Sequence, residues 1–194
     1  MPRRVDRDQR RREIADAVIR ITVKGGLASA TFREVAAEAG VSVRLVQYYF
    51  GTKDQLLLAT QRRVAERSIA RIRRFQAGAG DAPRDRLRTV MRSFVPVDDE
   101  SRDAMLVYVA LFTASLLDPA LKRTEAGEVA GSMRQAFAHQ LGRARLRAGV
   151  DPDREALVLL TLVTGVSQGV LDGQITPAEA FATIDYALDR ALRA

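Results

Sequence analysis

Apolar positions along this chain recur at helical spacing, and nowhere do they alternate with period two between turn signals. The first helix is predicted at about residues 7–24. Ile14, Val18 and Ile21 share its apolar face, with Ala15, Ala17 and Thr22 beside them, and Gly25-Gly26 stops it. A second helix starts at Thr31, whose hydroxyl and the Glu34 carboxylate have the spacing of a reciprocal capping box, and it ends at Gly40. Ser42 caps a third helix running to about Phe50. Thr52 caps a fourth over 53–76, where Asp54 suits the positive end of the helix dipole. Gly78, Gly80 and Pro83 interrupt the pattern. Further helices are predicted at 84–96, 101–117, 119–148, 153–173 and 177–193, with Asp118-Pro119 and Thr176-Pro177 as cap-plus-proline starts. The expected fold is all-α, with about nine helices and no sheet.

Charge divides the chain where the helical pattern does not. Residues 1–75 hold 17 Lys and Arg against 8 Asp and Glu, while 76–194 hold 14 against 16. The whole excess of +7 therefore sits in a basic head, followed by a nearly neutral body. That asymmetry admits nucleic acid or an anionic membrane as partner.

Composition narrows the chemistry. With 47% hydrophobic and 28% charged residues the chain has a globular balance. No cysteine is present, which excludes disulfides, thiolate metal sites and thiol catalysis. His139 is the sole histidine, so a histidine triad or metal cage lacks partners; it is expected at the surface or core edge. The acidic run Asp98-Asp99-Glu100 could suggest a divalent cation but reads more simply as a solvated loop. The N-terminus lacks the apolar segment of a secretory signal, and the apolar stretch 156–171 is read as too short and polar to span a bilayer. The expectation is a cytoplasmic protein with no membrane partner, no cofactor, no metal and no catalytic residues.

The block Thr31 to Lys53 carries the functional signal. Its turn, Ala39-Gly40-Val41-Ser42, places a small residue, a glycine, an apolar plug and an N-cap in order, which is the anatomy of a helix-turn-helix. Val35, Ala36, Ala39, Val41, Val46 and Phe50 can close a small core between the two helices. Val43, Arg44, Gln47 and Tyr48 are left on an outward face. Arg44 suits guanine O6 and N7 or a phosphate, and Gln47 suits adenine N6 and N7. Tyr48 and Tyr49 offer phenols to the sugar-phosphate backbone. Thr31 and Thr52 lie at helix N-termini, where amides attract phosphate, with Arg33 and Lys53 adjacent. The arginines at 3, 4, 7, 10, 11 and 12 read two ways, as an arm touching phosphate or minor groove and as a solvated tail.

Gly40-Val41-Ser42, followed by Tyr48-Tyr49-Phe50-Gly51-Thr52-Lys53 and Leu56-Leu57, resembles the DNA-binding domain of the TetR family of transcriptional regulators. The resemblance spans residues ~10–60, and the length and helical remainder agree with it. It implies a helix-turn-helix head over 1–52, then a linker helix plus effector-binding and dimerisation domain over 53–194. In that family the positions of Val43, Arg44, Leu45, Gln47 and Tyr48 face DNA, and those of Thr31, Arg33, Ser42, Tyr49, Thr52 and Lys53 hold phosphates. Members often carry Tyr where this chain has Gln47, so no operator sequence transfers.

The resemblance further implies a small, largely apolar effector in the body. The expected lining is Phe94, Tyr108, Phe112, Met133 and Phe137, with Thr164 and Gln168 as polar anchors. The last two helices, with Gly165, Gly169 and Gly173 spaced by four, are expected to form a four-helix dimer interface through Val163, Val166, Gly169, Val170, Phe181, Ile184 and Leu188. A dimer also suits a short reading helix, because two on a two-fold axis read a pseudo-palindrome. The functional expectation is a homodimeric, ligand-responsive regulator, most simply a repressor released from double-stranded DNA by its effector. The alternative is an architectural or nucleoid-associated DNA binder that senses nothing.

Overall fold

A computed structural model describes residues 2–78, 80–118 and 125–193, with side chains described from residue 7 onward and not over 125–130. Nine α-helices lie among the described residues: α1 (Pro2–Gly25), α2 (Phe32–Glu38), α3 (Val43–Phe50), α4 (Lys53–Gln76), α5 (Pro83–Phe94), α6 (Asp99–Leu117), α7 (Glu125–Gly142), α8 (Pro152–Leu171) and α9 (Pro177–Ala191). The fold is all-α. A single 3₁₀ turn, Leu27–Ser29, separates α1 from α2, and an isolated bridge pairs Leu146 with Leu192.

These residues group into two compact units. The first comprises 1–67 with 106–127, and the second 68–105 with 128–194. The border expected after residue 52 falls within the first of these units. Leu56, Leu57 and Thr60 of α4 are buried with the head, and Val107 and Leu111 of α6 join the same apolar cluster. That cluster is otherwise built from Ile14, Ala17, Val18 and Ile19 of α1, Val35 and Ala36 of α2, and Val46 and Phe50 of α3. The apolar stripe read from the first helix is its inward face. At the edge of this unit Arg63 grips Asp16 with two parallel bonds, Nε to Oδ1 at 2.8 Å and Nη2 to Oδ2 at 2.9 Å.

The second unit packs α5, α8 and α9 around Leu87, Met91, Leu159, Val163, Ile184 and Leu188, with Phe137 and Leu141 of α7 in the same core. Thr176 opens α9 with a complete capping box: its hydroxyl accepts from the Glu179 amide at 3.2 Å, and the Glu179 carboxylate accepts from the Thr176 amide at 2.7 Å. Asp185 of α9 accepts from Arg88 at 2.7 Å and Arg92 at 2.6 Å, both on α5. Burial pushes the Asp185 carboxyl up, but the two arginines outweigh it and hold the group below its ordinary range.

The acidic run Asp98-Asp99-Glu100 is exposed at Asp98 and Asp99 as expected, but it opens α6 and is ion-paired. Arg71 of α4, 7% exposed, donates from Nε to the Ser93 carbonyl at 3.2 Å, from Nη1 to Glu100 at 3.1 Å and from Nη2 to Asp98 at 2.7 Å. Its guanidinium also lies 4.8 Å from the centre of the Phe75 ring. Arg71 lies 27 residues from Asp98, so local sequence could not reveal the pairing.

Three sequence expectations change here. The helix predicted over 119–148 is described from Glu125 and ends at Gly142; residues 119–124 lie outside the described residues. It ends there because the following segment pairs with the C-terminus: the Arg147 amide donates to the Ala191 carbonyl at 3.0 Å, and the Arg193 amide to the Arg145 carbonyl at 2.7 Å. The capping box expected at Thr31 is half formed. Its hydroxyl accepts from the Glu34 amide, but its own amide donates to the Ser29 carbonyl at 2.8 Å, leaving no donor for the Glu34 carboxylate. Finally, α8 begins at Pro152, and its 20 residues are long and apolar enough to cross a membrane by length and composition. To the apolar stretch 156–171 the helix adds Pro152 and the charged Asp153, Arg154 and Glu155. Burial of Ala156, Leu159, Val163 and Ser167 in the core makes α8 an integral part of the second unit.

Candidate nucleic-acid interface and body site

The reading helix is short, and its two faces are sharply different. Val46 and Phe50 are buried, whereas Val43, Arg44, Gln47 and Tyr48 are exposed, Tyr48 by 67%. This is what the apolar pattern requires, because residues four apart share a face. Ser42 caps the helix by accepting from the Leu45 amide at 3.1 Å. The preceding turn closes with the Val41 amide donating to the Ala36 carbonyl at 2.9 Å, and Gly40 supplies the positive φ of 65° that the reversal needs. Leu45 and Tyr49 are half-buried at the helix flanks.

The predicted phosphate positions lie at helix starts. Thr31 and Arg33 are exposed at the beginning of α2, and Arg33 approaches Glu34 at 3.5 Å. Thr52 caps α4 by accepting from the Gln55 amide at 3.2 Å, with Lys53 exposed beside it. The chain passes from α3 to α4 through Gly51 at a φ of 67°. Among the described residues neither Arg44 nor Lys53 has a carboxylate partner, so both charges are available to a ligand.

Two arginines of the expected arm, Arg11 and Arg7, lie beside this face and pack on α3 itself. Arg11 of α1 donates from Nη1 to the Tyr49 carbonyl at 2.5 Å, and its guanidinium lies 4.7 Å from the centre of the Phe50 ring. Arg7 lies over the Tyr48 ring at 5.8 Å, and the Tyr48 and Tyr49 rings meet edge to face at 5.4 Å. The arm is thus a continuation of α1 rather than a tail from residue 7 onward. The four-residue step between Arg7 and Arg11 was the available signal, because it puts both on one helix face.

A family model described as bacterial regulatory proteins, tetR family, matches residues 14–60. Another, described as BetI-type transcriptional repressor, C-terminal, matches residues 83–193. The chain is 33% identical over 97% of its length to the HTH-type transcriptional regulator BetI of Burkholderia mallei, covering 95% of that protein. The chain belongs to the TetR family. As a TetR-family member it is a DNA-binding transcriptional regulator. Solved structures share the fold: a TetR-family regulator from Rhodococcus (24% identity, 96% of this chain, 100% of that one, TM-score 0.84) and a regulator from Saccharomonospora viridis in complex with choline (22% identity, 96% and 100%, TM-score 0.83).

The effector residues expected of a TetR-family body are distributed over both units. Tyr108 and Phe112 belong to the first unit, half-exposed and stacked at 6.1 Å with 13° between ring planes. In the second unit Phe137 is 2% exposed and is core. Phe94 and Met133 are half-buried against that core. Thr164 spends its hydroxyl proton on the Leu160 carbonyl at 2.9 Å. Gln168 is exposed on α8, and its neighbour Ser167 is fully buried. The Ser167 hydroxyl and the Gln140 side-chain oxygen are buried without a hydrogen-bond partner among the described residues, and the sequence pattern had signalled neither.

The expected dimer residues also divide. Val163, Ile184 and Leu188 are in the chain's own core, because each continues the inward stripe of its helix. Val166, Val170 and Phe181 pack partly against the same core, and Arg92 lies 4.8 Å from the Phe181 ring centre. The three glycines have separate roles. A Cβ on Gly169 would meet the Ile175 side chain at 3.1 Å, Gly165 faces open space, and Gly173 lies beyond the end of α8. The outward face of α8 and α9 instead carries Leu157, Val158, Thr161 and Gly165, with Ala182 and Tyr186.

Proposed function

We propose that this TetR-family regulator works as a homodimeric repressor of a pseudo-palindromic operator, released by a small, largely apolar effector. The observation that carries the reading is the bare outer face of α3. Arg44, Gln47 and Tyr48 stand exposed on a helix fixed by a Ser42 cap and a buried Val46–Phe50 edge. Arg44 and Gln47 read base edges, while Thr31, Arg33, Ser42, Tyr49, Thr52 and Lys53 hold the sugar-phosphate backbone. Eight residues of reading helix give limited specificity alone, and a two-fold axis doubles it.

The second copy sits on the outward face of α8 and α9. Leu157 and Val158 are each 53% exposed and Tyr186 63%, on helices otherwise built into the core. Apolar surface of this kind is covered in a stable assembly. The effector lies in the second unit beside Phe94 and Met133. The unpartnered Ser167 hydroxyl and Gln140 oxygen support this reading, because buried polar atoms without partners are costly and rare. The choline bound by the Saccharomonospora viridis regulator makes choline the first molecule to test. Such a compact cation presents methyl groups to aromatic faces. The protein acts in the cytoplasm, where its DNA is.

The test is nuclease footprinting of the full chain on genomic fragments, repeated with a small-molecule panel that includes choline. One or a few two-fold-symmetric footprints that fade with one compound are expected. Dispersed protection insensitive to every compound would favour the architectural reading instead.

A further inference from the structure

Arg11 lies outside the expected groove-reading residues, yet it holds one of their backbone groups. The last carbonyls of an α-helix have no partner within the helix. In α3 the Gln47 carbonyl is met by the Gly51 amide at 2.8 Å and the Phe50 carbonyl by the Thr52 amide at 2.7 Å. The Tyr49 carbonyl is met by Arg11, 38 residues away on another helix, at 2.5 Å. This places a full positive charge at the negative end of the reading helix, where the dipole favours it. A charge-assisted bond is also stronger than the neutral bond water would offer. The same guanidinium lies over the Phe50 ring, which is 4% exposed and anchors α3 in the head core. Arg11 is half-buried, with its charge committed inward.

We infer that Arg11 is a positioning residue for DNA recognition. It fixes the C-terminal turn of α3, and with it Gln47, Tyr48 and Tyr49, and does not act as a phosphate contact of the arm. Arg7, one turn earlier, rests on the Tyr48 ring and extends the same support. The inference rests on α3 being the groove-reading helix. It assigns to the arginine-rich start of α1 a role in specificity, where its charge alone would suggest nonspecific affinity.

The two roles give different salt behaviour. A phosphate contact contributes to counterion release, so its loss makes binding less salt-dependent by about one ion and weakens every sequence alike. A positioning residue leaves the salt slope unchanged and its loss erodes discrimination. The experiment selects duplexes from a randomised pool with the wild-type full chain. It then measures affinity for a selected duplex and a scrambled one across a salt series, for wild type, Arg11→Ala and Arg11→Lys. Circular dichroism and thermal melting check that each variant is folded.

For Arg11→Ala the ratio of selected to scrambled affinity falls by about 10-fold or more, the size of one lost charge-assisted bond, with an unchanged salt slope. Arg11→Lys recovers most of the ratio, since an ammonium can still reach the Tyr49 carbonyl. Should Arg11→Ala not fold, the lysine variant and Arg11→Gln, which keeps a neutral donor and yields an intermediate ratio, carry the comparison. A uniform loss with a shallower slope overturns the inference in favour of a phosphate contact. An unchanged ratio in the folded variants overturns it outright. A wild type that cannot tell selected from scrambled duplex overturns the reading of α3, and this inference with it.

Discussion

Arg71→Gln tests whether the guanidinium buried in the second unit is structural. The wild-type side chain is 8% exposed, whereas its acceptors Asp98 and Glu100 are 46% and 36% exposed. Once the guanidinium is removed, the carboxylates can rehydrate, and each loses only the ~0.2–1 kcal/mol of a screened pair. The Ser93 carbonyl cannot rehydrate as easily, because Ser93 is 6% exposed, and a stranded buried acceptor costs about 1–3 kcal/mol. The expected loss is about 1.5–5 kcal/mol. Arg74→Gln is the control. Arg74 makes an equally short bond to Glu100, 2.7 Å, but is 61% exposed, so its removal should cost less than about 1 kcal/mol. Urea unfolding at fixed protomer concentration measures both. Acid adds a second test. The Arg71 hydrogen bond, supported by the Ser101 amide and hydroxyl, overcomes burial and holds Asp98 down at about 2 from an ordinary 3.8. A depressed carboxyl contributes stability above its unfolded value and loses it as pH falls through the folded one. The gap between wild type and Arg71→Gln should therefore narrow as pH drops from 3.8 towards about 2. Equal losses for the two arginines, or a gap indifferent to acid, would refute the argument from burial.

Two further outcomes are expected. Arg44→Ala should cost roughly 1–3 kcal/mol and relax base preference at one position per half-site, whereas Lys53→Ala should weaken all sequences alike and reduce the salt slope; a salt series on selected and scrambled duplexes separates them, and equal, sequence-independent losses would remove Arg44 as a base reader. Val158→Asp should leave the protomer folded, since Val158 is 53% exposed, yet raise the dimer dissociation constant by about 30-fold or more, because the two-fold axis places the charge in the interface twice. Sedimentation velocity over a concentration series measures it, and an unshifted equilibrium would move the interface elsewhere.

Local rules were legible in this sequence, and tertiary choices were not. The bounds of α4 and the caps at Ser42, Thr52 and Thr176 follow from residues within one turn. The exposed and buried edges of α3 follow from a single apolar stripe. Helices α8 and α9 are apolar on more than one side, so periodicity could not choose between Val163 and Val158 as the inward residue. The acidic run at 98–100 was legible as charge, but its partner Arg71 belongs to another helix. The half-formed box at Thr31 shows a local rule overridden locally, by the 3₁₀ turn whose Ser29 carbonyl takes the amide first.

The division within α4 and α6 has a consequence for engineering. Val107 and Leu111 are 0% and 3% exposed in the head cluster, although they lie 57 and 61 residues beyond Phe50 at the end of α3. A chimera that transplants residues 1–60 as a cassette, to give another sensor this operator preference, would leave the head cluster without Val107 and Leu111. A working graft has to carry the α6 segment from Leu106 to Leu117 along with the head, or rebuild its apolar contacts in the recipient. The specificity of this chain is thus less portable than its contiguous motif suggests, because the block proposed to read DNA is completed by a segment outside it.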